Sequence, residues 1–263
     1  TVPVQAQPTS PETAIDPPSA PTDAHGQATF TITVARQAMV NQVQLSADGQ
    51  QTVVAVQGQP GPPATVRVTA TATEVVAGEE AGLQVVVQDE GRNPIPNQQV
   101  RFPPLSKGTT VAPAQAPTNP QGEAGAVVRT STSAGVNRIR LTTAELPPQD
   151  VEIRGTASAP SQVTLQTDSL ETVASGTVTV TVQVRDAHGN AVADVPVQLT
   201  ASPTAAAIEA TTLRTDAQGT ARVRLRTSPE AAANTVEAQV AVLPPAQLTV
   251  TGQAPTVLRL TPQ

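Results

Sequence analysis

Five short stretches of this chain hold the residue types from which a chemical site could be built. Three are tetrads: Asp23-Ala24-His25-Gly26, Asn119-Pro120-Gln121-Gly122 and Asp216-Ala217-Gln218-Gly219. Two are longer: Asp89-Glu90-Gly91-Arg92-Asn93 and Asp186-Ala187-His188-Gly189-Asn190. Aspartate and main-chain carbonyls suit Ca²⁺, but such a site takes six or more oxygens, and no tetrad offers more than one carboxylate. The turn reading fits better, because Asp accepts a backbone N–H two residues on and Gly supplies positive φ. His25 and His188, the only histidines, fall in different turns and form no repeated ligand set. There is no cysteine, and no Gly-x-Ser-x-Gly elbow presents a nucleophile. Arg222, Arg224 and Arg226 alternate with Val223 and Leu225, so they line one face of a strand. Such charges discourage stray sheet pairing; contact with an acidic neighbour or lipopolysaccharide is the functional alternative. We therefore expect no catalytic residue, no metal, no cofactor and no enzyme.

The elements that carry these stretches are strands. Thr177 to Val184 alternates Val with Thr or Gln, the period of a half-buried strand, and a second alternating run covers Val195 to Leu199. Asp186 to Asp194 must be a non-helical turn between them, with Val192 and Val197 facing inward. The arrangement recurs 97 residues earlier: Asp89 matches Asp186, Asn93 matches Asn190 and Phe102 matches Leu199. The tetrads are spaced by 96 and 97 residues, and each is followed by matching inward positions: Ala28/Phe30/Ile32, Ala124/Ala126/Val128 and Ala221/Val223/Leu225. A late-strand asparagine recurs at Asn41, Asn137 and Asn234. Pro63, Pro160 and Pro255 open successive units, spaced by 97 and 95 residues. One period shared by several landmarks marks a repeat protein. We expect a partial unit at 1–60, full units at 61–157 and 158–253, and an opening strand at 254–263.

Within 1–60, Val2-Pro3-Val4 matches Val195-Pro196-Val197, so the chain is expected to begin on what is, in a complete unit, the third or fourth strand. Gln5 to Pro21 reads as a loop or ragged edge strand, Gln27 to Ile32 as a clear strand. Asn41 to Ala47 and Thr52 to Gln57 form a hairpin about Asp48-Gly49. Thr204–Ala207 and Ala231–Ala233 have room for single helical turns. The junctions, Gln59 to Pro63, Ala157 to Pro160 and Gly252 to Pro255, hold no carboxylate; proline stiffens them by fixing φ.

Composition bounds the rest. The 263 residues include no Cys, Trp or Tyr, two Phe and a single lysine, Lys107, and the net charge is −6. A core must come from Val, Leu, Ile and Ala. The acidic balance argues against nucleic acid, which wants a basic face. Apolar runs are far too short for a membrane span. The absence of aromatic side chains other than Phe30 and Phe102 disfavours a stacking site for sugar or a protein hot spot.

Short strands divided by turn signals every 8–12 residues are the mark of an immunoglobulin-like β-sandwich. The recurring order, Val-rich strand, Asp-x-x-Gly-Asn-x-[Val/Ile], Val-x-[Leu/Phe], Thr-Asp-x-x-Gly-x-Ala, Asn-x-[Val/Ile], resembles the bacterial Ig-like domains of invasin and intimin, group 1. Residues 158–253 carry all of it: Asp186, Gly189, Asn190, Val192, Val197, Leu199, Thr215, Asp216, Gly219, Ala221, Asn234 and Val236. Residues 61–157 depart: Asn119-Pro120 replaces Thr-Asp, Gly91 comes one residue early relative to Gly189, and Pro94 and Pro96 crowd the turn. The expected fold class is all-β, tandem immunoglobulin-like sandwiches in an elongated array. The resemblance implies an extracellular location at a bacterial cell surface. The implied role is a stalk or spacer segment of an adhesin-like protein, with a subunit of a self-assembling filament or sheath as the alternative. The implied partners are neighbouring Ig-like repeats of the same chain, copies packed laterally, and a receptor reached through other domains. The partial first unit leads us to expect that the native polypeptide is longer than these residues.

Overall fold

The computed structural model describes residues 1–254; the opening strand expected after Ala254 lies outside the described residues. The described residues contain strands and turns and no helix, and the alanine-rich runs at 204–207 and 231–233 are not helical. The first 60 residues hold β1 (Pro3–Pro8), β2 (Ala14–Asp16), β3 (Ser19–Pro21), β4 (Thr31–Thr33), β5 (Val40–Ala47) and β6 (Gln50–Gln57). The next repeat holds β7 (Thr65–Ala70), β8 (Glu74–Val76), β9 (Glu80–Gln88), β10 (Gln99–Arg101), β11 (Thr110–Ala112), β12 (Gln115–Pro117), β13 (Glu123–Arg129), β14 (Gly135–Leu141) and β15 (Gln149–Thr156). The third holds β16 (Gln162–Thr167), β17 (Glu171–Val173), β18 (Thr177–Arg185), β19 (Pro196–Ser202), β20 (Ala207–Ile208), β21 (Thr212–Arg214), β22 (Thr220–Arg226), β23 (Ala233–Gln239) and β24 (Ala246–Gln253).

The third repeat is two sheets over one core. One sheet runs β16-β18-β22-β20, the other β17-β24-β23-β19-β21. Along β18 the period of 2 puts Val178, Val180, Val182 and Val184 inside, while Thr and Gln face out. Val223 and Leu225 of β22 bury opposite Val197 and Leu199 of β19, Val236 of β23 and Val250 of β24. Each fully buried Val or Leu contributes about 1.5–3 kcal/mol. Many small aliphatic contacts thus replace the aromatic anchors that the composition lacks. β17 adds to β24 in parallel, Glu171 opposite Thr251 and Val173 opposite Gln253.

The second repeat follows the same plan. β7 pairs antiparallel with β9 from Thr65↔Gln88 to Ala70↔Leu83, and β8 pairs in parallel with Arg154–Thr156 of β15. Val85, Val87, Val100, Phe102, Val128, Ile139 and Leu141 are buried.

The first repeat differs from the sequence reading in two places. Gln5 to Pro21, read as a loop or a ragged edge strand, holds an inner strand as well as an edge: β1 lies between the edge strand β3 and β5 in a sheet of order β3-β1-β5-β6. Its prolines sit at strand ends (Pro3, Pro8, Pro21), where a missing N–H costs the ladder little. The strand expected over Gln27 to Ile32 shrinks to β4, Thr31–Thr33, paired only with β2. Its counterparts β13 and β22 are seven residues long and lie against β9 and β18. The first repeat of this sequence has no such Val-rich strand, so the ladder that would extend β4 has no partner among the described residues. The β5–β6 hairpin is as expected, with Val40 opposite Gln57 and Ala47 opposite Gln50. Asp48 (φ 48°) and Gly49 (φ 75°) are both left-handed, as a primed two-residue turn requires.

By packing, the chain forms two compact units. One comprises Thr1–Thr73, Ala81–Val128 and Arg138–Glu152; the other comprises Glu74–Glu80, Arg129–Asn137 and the chain from Ile153 onward. The junction at Gly61 lies within the first of these units and the junction at Ser158 within the second.

Candidate functional site

The three tetrads are one turn built three times. Oδ1 of Asp23 accepts the N–H groups of His25 (2.8 Å) and Gln27 (2.9 Å). Asn119 does the same for Gln121 and Glu123, and Asp216 for Gln218 and Thr220. Asn119 therefore stands in the place of Asp216, and Thr118 in that of Thr215, which corrects the pairing of Asn119-Pro120 with Thr-Asp. The two threonines bear this out: Thr118 Oγ1 donates to the Ile95 carbonyl at 2.6 Å, and Thr215 Oγ1 to the Val192 carbonyl at 2.7 Å. Gly26, Gly122 and Gly219 all have positive φ. A Cβ at Gly219 would meet the Val184 carbonyl oxygen at 2.6 Å, so this turn needs glycine for space as well as for backbone.

The turns at Asp89 and Asp186 do more than reverse the chain. Asp186 N–H donates to the Asn190 carbonyl and Gly189 N–H to the Asp186 carbonyl; residues 89–93 repeat the pattern, with Arg92 in the place of Gly189. Arg92 adopts φ 64° where Gly189 has 81°. The early glycine has a separate cause: a Cβ on Gly91 would come within 2.5 Å of the Arg36 carbonyl oxygen, which belongs to the preceding repeat.

That carbonyl is one half of a joint. Asn93 Nδ2 donates to the Arg36 carbonyl (2.7 Å), and its Oδ1 accepts the Ala38 N–H (2.7 Å). One period on, Asn190 Nδ2 donates to the Thr132 carbonyl (2.9 Å), and its Oδ1 accepts the Ala134 N–H (2.8 Å). The partner aspartate holds the linker: Asp89 Oδ2 accepts the Gly61 N–H, and Asp186 Oδ2 accepts the Ser158 N–H. Asp and Asn are themselves bonded, Nδ2 to Oδ2, at 2.8 Å in the first pair and 2.9 Å in the second. So the junctions, read as acid-free from their own residues, receive a carboxylate from the turn that follows. An exposed Arg36–Glu90 pair at 3.4 Å flanks the first joint, and such pairs contribute little.

The electrostatics agree with this geometry. Burial alone would raise the Asp186 pKa. The Asn190 side chain and the N–H groups of Ser158, Asn190 and His188 outweigh it and hold the group at about 2. Asp89 is lowered by the same set of donors after the same opposing burial. Each carboxylate is a charged acceptor hub, the strong form of hydrogen bond.

The receiving loops are shaped by the recurring buried asparagines. Asn41 Oδ1 accepts the Ala35 N–H, Asn137 Oδ1 the Ser131 N–H and Asn234 Oδ1 the Ser228 N–H, each at 2.8 Å. Their amide groups donate to the carbonyls of Met39, Gly135 and Ala232 at the far side of the same loops, and to Val56, Ile153 and Val250 on the next strand.

The other residues singled out stay apart. His25 and His188 are exposed in separate turns. Arg222, Arg224 and Arg226 are exposed along β22, in register with Thr181, Thr179 and Thr177, and none is in a salt bridge among the described residues. Among the described residues no three His, Cys, Asp or Glu side chains cluster as a metal site, and no helix is long and apolar enough to cross a membrane. A groove of about 510 Å³ beside the second joint is lined by Ala, Gly, Thr and Val, with Arg154 and Asn190 its main polar side chains. It offers neither a nucleophile paired with a base nor a carboxylate pair. Sequence reasoning missed the joint because the Asp and Asn types are fully explained by turn chemistry. The available signal was Asn93 and Asn190, since the left-handed positions of the turns are Arg92 and Gly189 and the asparagine backbone carbonyl closes each turn without need of a carboxamide.

The solved structure of invasin, a bacterial integrin-binding protein, aligns with a TM-score of 0.56 at 16% identity, covering 96% of this chain and 53% of that one. Yersinia pseudotuberculosis InvD gives 0.52 at 17%, covering 75% and 60%. The Escherichia coli adhesin FdeC gives 0.51 at 17%, covering 95% and 97%. At these identities the likeness establishes the fold: tandem Ig-like sandwiches. No curated protein matches the sequence. The family model of the bacterial Ig-like domain (group 1) matches residues 162–252, which span both sheets and the core of the third repeat.

Proposed function

We propose that the chain is a structural spacer, a stalk segment of an adhesin-like protein at a bacterial cell surface, with no catalysis of its own. Its working parts are repeats at 1–60, 61–157 and 158–253, with 254–263 opening a further one. The observation that carries the reading is the pair of matching joints. Asn93 and Asn190 each bridge to a carbonyl and an N–H of the repeat before, while Asp89 and Asp186 hold the linker. A spacer has to transmit position from one repeat to the next, and a hydrogen-bonded joint at each linker does that where a flexible linker would not. The structural neighbours include bacterial adhesins, in keeping with this use of the fold. Sedimentation velocity tests it: the purified chain should run as a monomer with a frictional ratio well above that of a globule. A compact monomer would sink the stalk, and a concentration-dependent polymer would favour a filament subunit instead.

A further inference from the structure

Each of the first two repeats carries, just before its last two strands, a loop that receives an asparagine from the repeat that follows. The third has the same loop. Ser228, Pro229 and Ala231 stand one period after Ser131, Thr132 and Ala134. Asn234 holds Ser228 N–H and the Ala232 carbonyl just as Asn137 holds Ser131 N–H and the Gly135 carbonyl, each partner one period further on. Gly252 N–H donates to the Ala232 carbonyl at 2.8 Å, as Gly58 N–H does to Met39 in the first repeat. The groups used in the earlier loops are the carbonyl at 36 or 132 and the N–H at 38 or 134. Their equivalents, the Pro229 carbonyl and the Ala231 N–H, are exposed and make no hydrogen bond among the described residues. An exposed N–H and carbonyl, two residues apart and fixed by a buried asparagine, match the two ends of one carboxamide.

We infer that the 228–232 loop is a docking site for the Asp-x-x-x-Asn turn of another Ig-like repeat, whose carboxamide bridges the Pro229 carbonyl and the Ala231 N–H. The two filled joints identify the occupant by its chemistry: an asparagine pre-oriented by a buried carboxylate four residues before it. A free amide or a peptide asparagine lacks that support and would lose the ordering cost on binding. The inference rests on the joint reading of Asn93 and Asn190, and the test keeps the two separable.

The chain through Ala254 is continued by a copy of residues 158–253, and amide hydrogen exchange is read at Ala38, Ala134 and Ala231. Ala38 and Ala134 serve as internal references, because their N–H groups are already held by asparagine. Ala231 should slow about tenfold or more on extension, and return to its fast rate when the appended copy carries Asn190→Ala. Slow Ala38 and Ala134 beside an unchanged Ala231 would overturn the docking site alone; fast exchange at all three would overturn the joint reading itself. Should the Asn190→Ala copy fail to fold, Ala231→Pro deletes the donor from the other side. The appended Asn190 carboxamide signals should then shift away from those of the native Asn190, and identical signals with and without the Ala231 N–H would also refute the site.

Discussion

Asn93 and Asn190 stand 97 residues apart and make the same two bonds to the repeat before them: amide to carbonyl and carbonyl to N–H. Each is tied to an aspartate four residues earlier. Neither bond is needed to fold the turn, which its own backbone closes.

Asn190→Ala should therefore leave the third repeat folded and free its joint. The Thr132 carbonyl and Ala134 N–H are near the surface, so water replaces the lost partners, and the stability cost should be about 1 kcal/mol. Exchange at Ala134 should accelerate while core amides in β18 stay protected. Unchanged exchange at Ala134 would show that the contact carries nothing.

The Asp186 carboxylate makes the same joint sensitive to acid. Its folded pKa, about 2, lies below the ordinary value of 3.8. The resulting stabilisation, about 2 kcal/mol, is complete above pH 4 and disappears as pH falls through 2. Asp89, also lowered, adds in the same direction. Denaturant midpoints measured from pH 5 to pH 2 should fall, and Asp186→Asn should flatten part of that slope. A variant with the full wild-type slope would remove Asp186 from the account.

Asn234 is fully buried and serves Ser228 N–H, the Ala232 carbonyl and the Val250 carbonyl. Asn234→Ala takes the acceptor from the buried Ser228 N–H and leaves the Ala232 carbonyl with the Gly252 N–H alone, at a cost of about 2 kcal/mol. Thermal unfolding should show the third repeat melting earlier. A loss below 1 kcal/mol would mean that water enters and satisfies them.

Two glycines should respond differently to alanine. Gly219→Ala combines φ +69° with a Cβ at 2.6 Å from the Val184 carbonyl oxygen and should destabilise the third repeat. Gly91 needs no left-handed backbone, so Gly91→Ala should instead push the Arg36 carbonyl away and loosen the first joint. The readout is a faster Ala38 amide with β9 protection retained; global unfolding of both variants alike would contradict the distinction.

Most of the fold was legible because a period of 2 in Val-rich strands and a period near 97 in turns are strong, independent signals. Val192 and Val197 face inward as their alternation demands. The misses have physical causes. Over Gln27 to Ile32 alternation was present, but a strand also needs a neighbour, and pattern alone cannot supply one. At Gln5 to Pro21, five prolines suggested a loop or a ragged edge strand, yet Pro8 and Pro21 close strands and Pro11, Pro17 and Pro18 fall in the turns between them. The joint was hidden because Asp and Asn are ordinary turn residues, and which repeat their spare hydrogen bonds reach depends on tertiary placement. Asn41, Asn137 and Asn234 were visible as a recurrence, while their work on the receiving loops was not.

The receiving loops are read only through their main chain. Asn93 and Asn190 touch a carbonyl and an N–H, and these groups are the same whatever side chains stand at Arg36, Gln37 and Ala38 or at Thr132, Ser133 and Ala134. Loop sequences can therefore drift, and repeats can be duplicated, deleted or exchanged, without a compensating change across the boundary. A gene built this way can alter its length by unequal recombination and still encode a chain whose successive modules fit.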